Sequence, residues 1–423
     1  MIEATRQGLS KIDRTQIQGK FKVWIAQFML IPKLLWPLLV YEIGLSTVER
    51  VEKMINRFTR KWLGLPPGLT NVALYSRRAK LRLPMKSVVE EYKVGKVRLQ
   101  AMLELSGDCS IKEAKVQLKT GRKWKTVDAL TEAEERVKFQ EVAGASQVGR
   151  HGLGYGPPRV WWSSATVRQR RDLILQEVHG LEEVGRYQMA VQQGQQGQWT
   201  SWEEALQRSL SWSDMWNMAP LRLGFMIRAV YDQLPTSDNL AKWNKTQDKK
   251  CGLCGGSQTL KHVLSACKQS LAMGRYTWRH NQVLRVIAEA VDKAVLEANS
   301  REGISSEALG QGSRSSSAKL VGLLEEASDW KVAADLEGRR TYAAVFKENA
   351  ARPDIVALST SRRTAVLVES TVPFESNMSE SHEFKLAKYE VLREALHADG
   401  DKVHLFAVEV GTRRFAGASL YSL

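Results

Sequence analysis

The amino-acid sequence predicts a multidomain chain: a mainly α N-terminal half, a small Cys-Cys-His-Cys (CCHC) knuckle and a C-terminal α/β domain. Three observations carry this. The 423 residues exceed what one hydrophobic core usually holds. Apolar residues recur at three- and four-residue spacing in the N-terminal part, whereas two short apolar runs beyond residue 350 read as strands. Between these regions, three of the four cysteines and a histidine fall within seventeen residues.

With 43% hydrophobic and 26% charged residues, wholesale disorder, collagen-like repeats and a polytopic membrane protein are excluded. The 62 Lys+Arg against 46 Asp+Glu give a net charge of +16, which favours a polyanionic partner such as nucleic acid or an acidic membrane surface. Residues 1–100 hold 19 cations and 7 acids, so most of the excess sits there. Four cysteines are too few for a disulfide framework in so long a chain, which predicts a reducing compartment. The N-terminus, Met-Ile-Glu-Ala-Thr-Arg, lacks the apolar core of a secretory signal. The apolar stretch Val23–Leu45 is interrupted by Pro32, Lys33, Pro37 and Glu42. A charge at mid-membrane costs roughly 2.5–3.5 kcal/mol, so the stretch is predicted as a buried helix pair broken at the prolines, with no membrane partner.

Residues 1–65 are predicted helical. Ser46-Thr47-Val48-Glu49 starts a helix in which Val48, Val51, Ile55, Phe58 and Trp62 share a face, while Arg50, Lys53, Arg57, Arg60 and Lys61 crowd the other. Pro66-Pro67-Gly68 ends it, and residues 66–200 read as a basic helical linker region. Its cations from Arg77 to Arg98 are opposed only by Glu90 and Glu91. For a single lysine a solvated helix face is the plainer reading, but the density marks Arg57, Arg60, Lys61, Arg77, Arg78, Lys80 and Arg82 as candidate phosphate contacts. The glycine cluster Gly149–Pro158 lacks the Gly-Lys-Ser/Thr ending of a phosphate loop and reads as a connector, as does the Gln/Gly tract Gln192–Gln198. Residues 201–245 form a Trp-rich helical segment. Its tryptophans, with Trp199 just before it, could stack on bases, but packing is the default for aromatics at helical spacing.

Residues 246–272 form the knuckle, C-x2-C-x7-H-x4-C over Cys251, Cys254, His262 and Cys267. Three thiolates and an imidazole suit tetrahedral zinc and leave no open position for water, so the predicted role is structural. Lys249, Lys250 and Lys261 flank it, as a nucleic-acid-facing knuckle needs. Residues 273–317 are predicted as a helix followed by the Gly/Ser-rich linker Gly303–Ser317.

Residues 318–423 form the last domain. Trp330–Asp335 reads as a strand, and Arg352–Leu358 and Thr364–Val372 as a hairpin with Asp354 opening one strand and Glu369 inside its neighbour. A carboxylate on a mostly apolar strand needs a partner, and two converging carboxylates suit a divalent cation for phosphodiester hydrolysis. Lys385, Lys388 and Tyr389 share a face of the next helix. A salt-bridged hairpin and helix without chemistry is the competing reading.

The order of these features resembles the C-terminal part of the polyprotein of non-LTR (LINE-type) retrotransposons that carry a restriction-like endonuclease. Tyr231–Trp243 before the knuckle and Gly274–Leu284 after it add to the resemblance, which covers most of the chain, most strongly Leu221–Lys388. In that family a reverse transcriptase and its thumb precede a linker, a CCHC zinc knuckle and a PD-(D/E)xK nuclease that nicks target DNA to prime cDNA synthesis. The resemblance implies that residues 1–65 are a thumb remnant and that 318–423 form a restriction-endonuclease-like domain. It further implies Asp354 and Glu369 as ligands of a catalytic Mg²⁺ or Mn²⁺. Thr371 stands where the motif lysine belongs, so Lys385 or Lys388 from the following helix takes its place; Glu325 or Glu326 is a further candidate for the metal shell. No Asp-Asp pair occurs, so reverse transcription is not expected from this chain alone. Target DNA, template RNA and a nuclear location follow from the same resemblance. The expected function is metal-dependent DNA nicking with nucleic-acid binding; the alternative is an inactive binding protein that works through its knuckle and basic helices.

Overall fold

A computed structural model of the chain describes residues 1–114, 116–144, 146–149, 152–155, 161–300, 322–336, 352–421 and 423. The expected linker Gly303–Ser317 and part of the glycine cluster at 149–158 lie outside the described residues. The chain forms two compact units, Met1–Ser201 with Gln207–Leu234, and Trp202–Leu206 with Pro235–Leu423.

The first unit is helical. Helices α1 (Ile2–Asp13), α2 (Gly19–Ile25), α3 (Ile31–Val40), α4 (Leu45–Trp62), α5 (Val88–Glu104), α6 (Thr126–Ala143), α7 (Val167–Gln192) and α8 (Pro220–Val230) are its main elements. The predicted apolar stripe of α4, Val48, Val51 and Ile55, meets Leu9 of α1, Leu34 and Leu38 of α3, and Val88 and Tyr92 of α5 in one core. Farther along α5, Val94, Val97 and Ala101 meet Leu130 and Ala133 of α6 and Ile174 and Val178 of α7 in a second. Each such buried aliphatic side chain stabilises by roughly 1.5–3 kcal/mol, so α5 ties the two bundles together.

Two expectations from the sequence fail in this unit. The prolines do not split Val23–Leu45 into a helix pair: Gly19–Val40 is one helical run, long and apolar enough by length and composition to cross a membrane, with Val23, Ile31, Leu34 and Leu38 buried within the protein. A π turn at Ala26–Leu30 precedes Pro32. Such a widened turn takes up the carbonyl that a proline cannot partner, so the axis continues. The Gln/Gly tract is not a free connector either. Gln196 accepts from Thr70 N at 2.8 Å and donates to Gly68 O at 3.0 Å, while Gln195 donates to Asp232 O at 2.8 Å. At Gly197 a Cβ would lie 1.8 Å from Ala190 O, so only glycine fits. Glutamine amides both donate and accept, which lets a polar tract pin loops that composition alone leaves free.

The second unit is a four-stranded sheet with a helix on each face. Strands β1 (Lys331–Ala334), β2 (Ile355–Ser359), β3 (Thr364–Thr371) and β4 (Lys402–Glu409) lie in that order, antiparallel except for the β3–β4 pair. Helix α9 (Arg275–Asn299) covers the face of Ile355, Ala357, Val366, Val368 and Val408. Helix α10 (Met378–Ala398) connects β3 to β4 and covers the face of Val356, Ala365 and Leu367 with Tyr389, Leu392 and Leu396. Burial on both faces explains why β3 reads as a continuous apolar run rather than an alternating one. The Trp-rich segment is shared out: Trp199 is buried in the first unit, whereas Trp202 is buried in the second, where Arg413 stacks between its ring and that of Phe374.

Arg77, a candidate phosphate contact, is exposed along its side chain, and its guanidinium is engaged within the fold. It pairs with the buried carboxylate of Glu90, which also holds Arg186 and His179. Burial raises the Glu90 pKa, but these three partners outweigh it and hold the group at about 2. The cluster therefore stabilises the fold above the ordinary carboxylate value of 4.5 and loses that contribution as pH falls towards about 2. Glu90→Gln should lower the stability of the helical unit by on the order of 3 kcal/mol at neutral pH and flatten its acid dependence. Hydrogen exchange in α5 and α7 at pH 7 and pH 3 reads both effects; a wild-type acid response in the variant would refute the assignment.

Candidate functional site

The knuckle is built by a tight turn and a distorted helical turn. Gly255 N donates to Cys251 O at 2.8 Å and Cys251 N to Gly256 O at 2.6 Å, with Gly255 at φ +73°, a left-handed conformation that glycine adopts at least cost. Buried Leu260 anchors the approach to a π turn at His262–Ala266, which delivers His262 and then Cys267. The ligand atoms of Cys251, Cys254, His262 and Cys267 all lie within 4.8 Å of one another. Tetrahedral zinc with bonds near 2.3 Å has ligand–ligand edges of about 3.7 Å, so the residues fit that ion. His262 presents Nε2, 3.2 Å from Cys254 Sγ. A Cβ at Gly256 would come within 3.4 Å of the His262 ring and 3.6 Å of that sulfur.

The thiols are poised for a cation. Backbone N–H groups of Leu253 and Cys254 lower the Cys251 pKa, and the N–H and hydroxyl of Ser270 lower that of Cys267 to about 6. Cys254 moves the other way: desolvation and its two sulfur neighbours outweigh the Gly256 N–H. Three crowded sulfurs cannot all ionise without a positive charge among them, and zinc supplies it. Outside the ligands, the Tyr276 hydroxyl accepts from Cys267 N at 3.0 Å and lies 3.2 Å from His262 O, holding the two ligand-bearing segments together. Lys249 and Lys250 are exposed beside the knuckle; Lys261, also exposed, reaches Asn377 Oδ1 at 3.2 Å and the Phe374 ring at 5.8 Å.

In the sheet unit, the pairing of Ile355 with Val368 sets Asp354 opposite Glu369. Asp354 N donates to Glu369 Oε2 at 3.2 Å, and Asp354 Oδ2 accepts from Ser370 N at 2.7 Å. Glu369 is 2% exposed. Lys385 Nζ is hydrogen-bonded to its Oε1, so Lys385, and not Lys388, reaches the carboxylates. Lys388 donates instead to the Tyr389 hydroxyl at 3.0 Å, which in turn donates to Arg352 O at 2.8 Å. Glu326 does not join this cluster. It pairs with Lys402 at 3.1 Å, and Lys402 lies opposite Thr364 at the other end of β3. The Glu325 side chain lies outside the described residues.

Two contributors escape the sequence reading. His280 of α9 places Nε2 3.2 Å from Asp354 Oδ2 and 3.1 Å from Ser370 O. Burial lowers its pKa, but the Asp354 carboxylate wins and holds it at about 9. Glu409 of β4 is 3% exposed and receives His382 of α10. An acid within the apolar run Phe406–Val410 is the only signal that could have marked it. Helix α10 thus crosses the strand ends in order, with His382 on Glu409, Lys385 on Glu369 and Tyr389 on the entry to β2.

Of the predicted phosphate contacts, Arg57, Arg60 and Lys61 line a cleft of about 910 Å³ with Arg6 and Lys53, over Met54, Phe58, Leu65 and Pro67. Asp13, paired with Lys61 at 2.7 Å, is the acid in its lining. Arg60 is pinned, its Nε and Nη2 3.0 and 2.7 Å from Leu69 O, whereas Arg57, Lys53 and the Asp13-paired Lys61 are exposed cations of α4 there. Arg78 lies over the Tyr187 ring at 5.7 Å, Lys80 is half-buried and Arg82 is exposed.

Residues 196–273 match a family model described as zinc-binding in reverse transcriptase. No curated protein matches the chain. The match spans the four ligands, and together with their geometry it supports a retroelement-derived protein with a reverse-transcriptase-related zinc-binding region and a structural zinc. The purified protein should hold one zinc per chain. Cys267→Ser or His262→Ala should reduce that content at least ten-fold by atomic absorption and loosen residues 250–272, and full retention in both variants would refute the site.

Proposed function

We propose that this chain is the nucleic-acid-binding and DNA-nicking part of a retroelement protein. The knuckle and the α4 cleft hold nucleic acid, and the sheet unit, with a restriction-endonuclease-like fold, hydrolyses a phosphodiester with Mg²⁺ or Mn²⁺. The observation that carries the reading is the convergence of Asp354, Glu369 and Lys385 at one end of the sheet. Burial of Glu369 is costly unless a cation compensates it, and Asp354 Oδ1 has no hydrogen-bond partner among the described residues. Hard carboxylate oxygens suit Mg²⁺, which Asp354 and Glu369 would hold; once bound, the ion supplies electrophilic stabilisation of the phosphate. Lys385 adds positive charge where charge develops on the phosphoryl oxygens. Target DNA, template RNA and a nuclear location belong to the same proposal.

A second reading is an inactive nucleic-acid-binding protein. It is favoured by the saturation of the cluster, since Lys385, His280, Ser370 N and Asp354 N already satisfy three of its four carboxylate oxygens. Incubation with supercoiled DNA separates the two. The enzyme should convert it to the open circular form only with Mg²⁺ or Mn²⁺, and Asp354→Ala should slow this at least a hundred-fold while DNA affinity stays within about two-fold. Wild-type binding without nicking establishes the second reading.

A further inference from the structure

Hydrolysis of a phosphodiester requires a group that takes the proton of the attacking water, and most bases near Asp354 and Glu369 are committed elsewhere. Lys385 is ion-paired with buried Glu369. His280 has both ring nitrogens engaged, Nε2 with Asp354 Oδ2 and Ser370 O and Nδ1 with Asn281 Oδ1. Lys388 is bonded to Tyr389.

His382 differs. Its Nδ1 lies 3.1 and 3.2 Å from the two carboxylate oxygens of Glu409, which places the ring proton on Nδ1 and the lone pair on Nε2. Among the described residues Nε2 has no hydrogen-bond partner, and the side chain is 37% exposed. Glu409 is itself fixed, accepting from Ser419 Oγ at 2.5 Å. The register puts this pair beside the other carboxylates: Glu369 lies opposite Ala407 and Glu409 opposite Thr371, so both acids project from the sheet face that α10 covers. On α10, His382 and Lys385 are one helical step apart, about 5–6 Å between Cβ atoms. Glu375, in the turn that leads into α10, is bound to Arg413 at 2.9 Å.

We infer that His382, held in one tautomer by Glu409, is the proton acceptor for the water that attacks the phosphodiester. The inference rests on the nuclease reading above. Water oxygen bonds to phosphorus, its proton passes to His382 Nε2, and the P–O3′ bond breaks. The departing O3′ takes a proton from solvent, leaving a 5′-phosphate and a 3′-hydroxyl; His382 then returns its proton to water.

The test compares wild type, His382→Ala and His382→Gln, the glutamine retaining a hydrogen bond to Glu409 without a basic nitrogen. Both variants should bind DNA like wild type and nick it about a hundred-fold more slowly. Added imidazole should restore His382→Ala in proportion to its unprotonated form, and it should leave His382→Gln, whose cavity is filled, unrescued. Independently of activity, ¹⁵N spectra of histidine-labelled, metal-free protein should show His382 protonated on Nδ1 and bare on Nε2, and Glu409→Gln should disturb that signature. Wild-type nicking rates in both variants, loss without imidazole rescue, or a proton on Nε2 of the neutral ring would each overturn the inference and leave the nuclease reading standing. Wild type that never nicks would overturn both.

Discussion

A carboxylate buried on a central strand sets the terms for the sheet unit. Glu369 is 2% exposed between apolar neighbours, and isolated ionised carboxylates do not survive in such surroundings. Its charge is met by Lys385 on one oxygen and by Asp354 N on the other. Those two bonds fix where α10 crosses the sheet and how the hairpin closes. The same crossing brings His382 onto Glu409, so one buried charge arranges several polar groups at a single end of the fold.

The knuckle obeys a different constraint. Its four ligand atoms sit closer together than three thiolates tolerate unless a cation neutralises them. Apolar support within the module is thin: Cys251, Leu260 and Cys267 are its buried apolar side chains. Metal binding and local folding are therefore one equilibrium there. In the helical unit, α5 shares its surface between two apolar cores and buries Glu90 against three cationic or proton-donating partners.

Basic density is a weaker guide than it looks in a linear sequence. Arg77 is exposed but ion-paired with Glu90, and Arg60 lines the α4 cleft but is bonded to Leu69 O, whereas Arg57 and Lys53 in that cleft make no ion pair among the described residues. A cation's neighbours in sequence reveal its surplus charge; its partners in space decide whether that charge is available to phosphate.

The knuckle, the α4 stripe and the hairpin with its opposed acids were all legible because each is local: ligand spacing, a helical period and two short apolar runs fix them within about twenty residues. The sequence by itself also marked Asp354 and Glu369, since an acid on an apolar strand is conspicuous anywhere. Tertiary structure alone decided which lysine reaches Glu369, placed Glu326 at the far end of the sheet, recruited His280 from another helix and turned the Gln/Gly tract into a clamp. Those outcomes depend on helix azimuth, strand register and contacts across 16 to 128 residues, quantities that no local pattern encodes. The π turn ahead of Pro32 belongs with them, because a proline announces a missing donor, and only the packed helix shows how the backbone makes up for it.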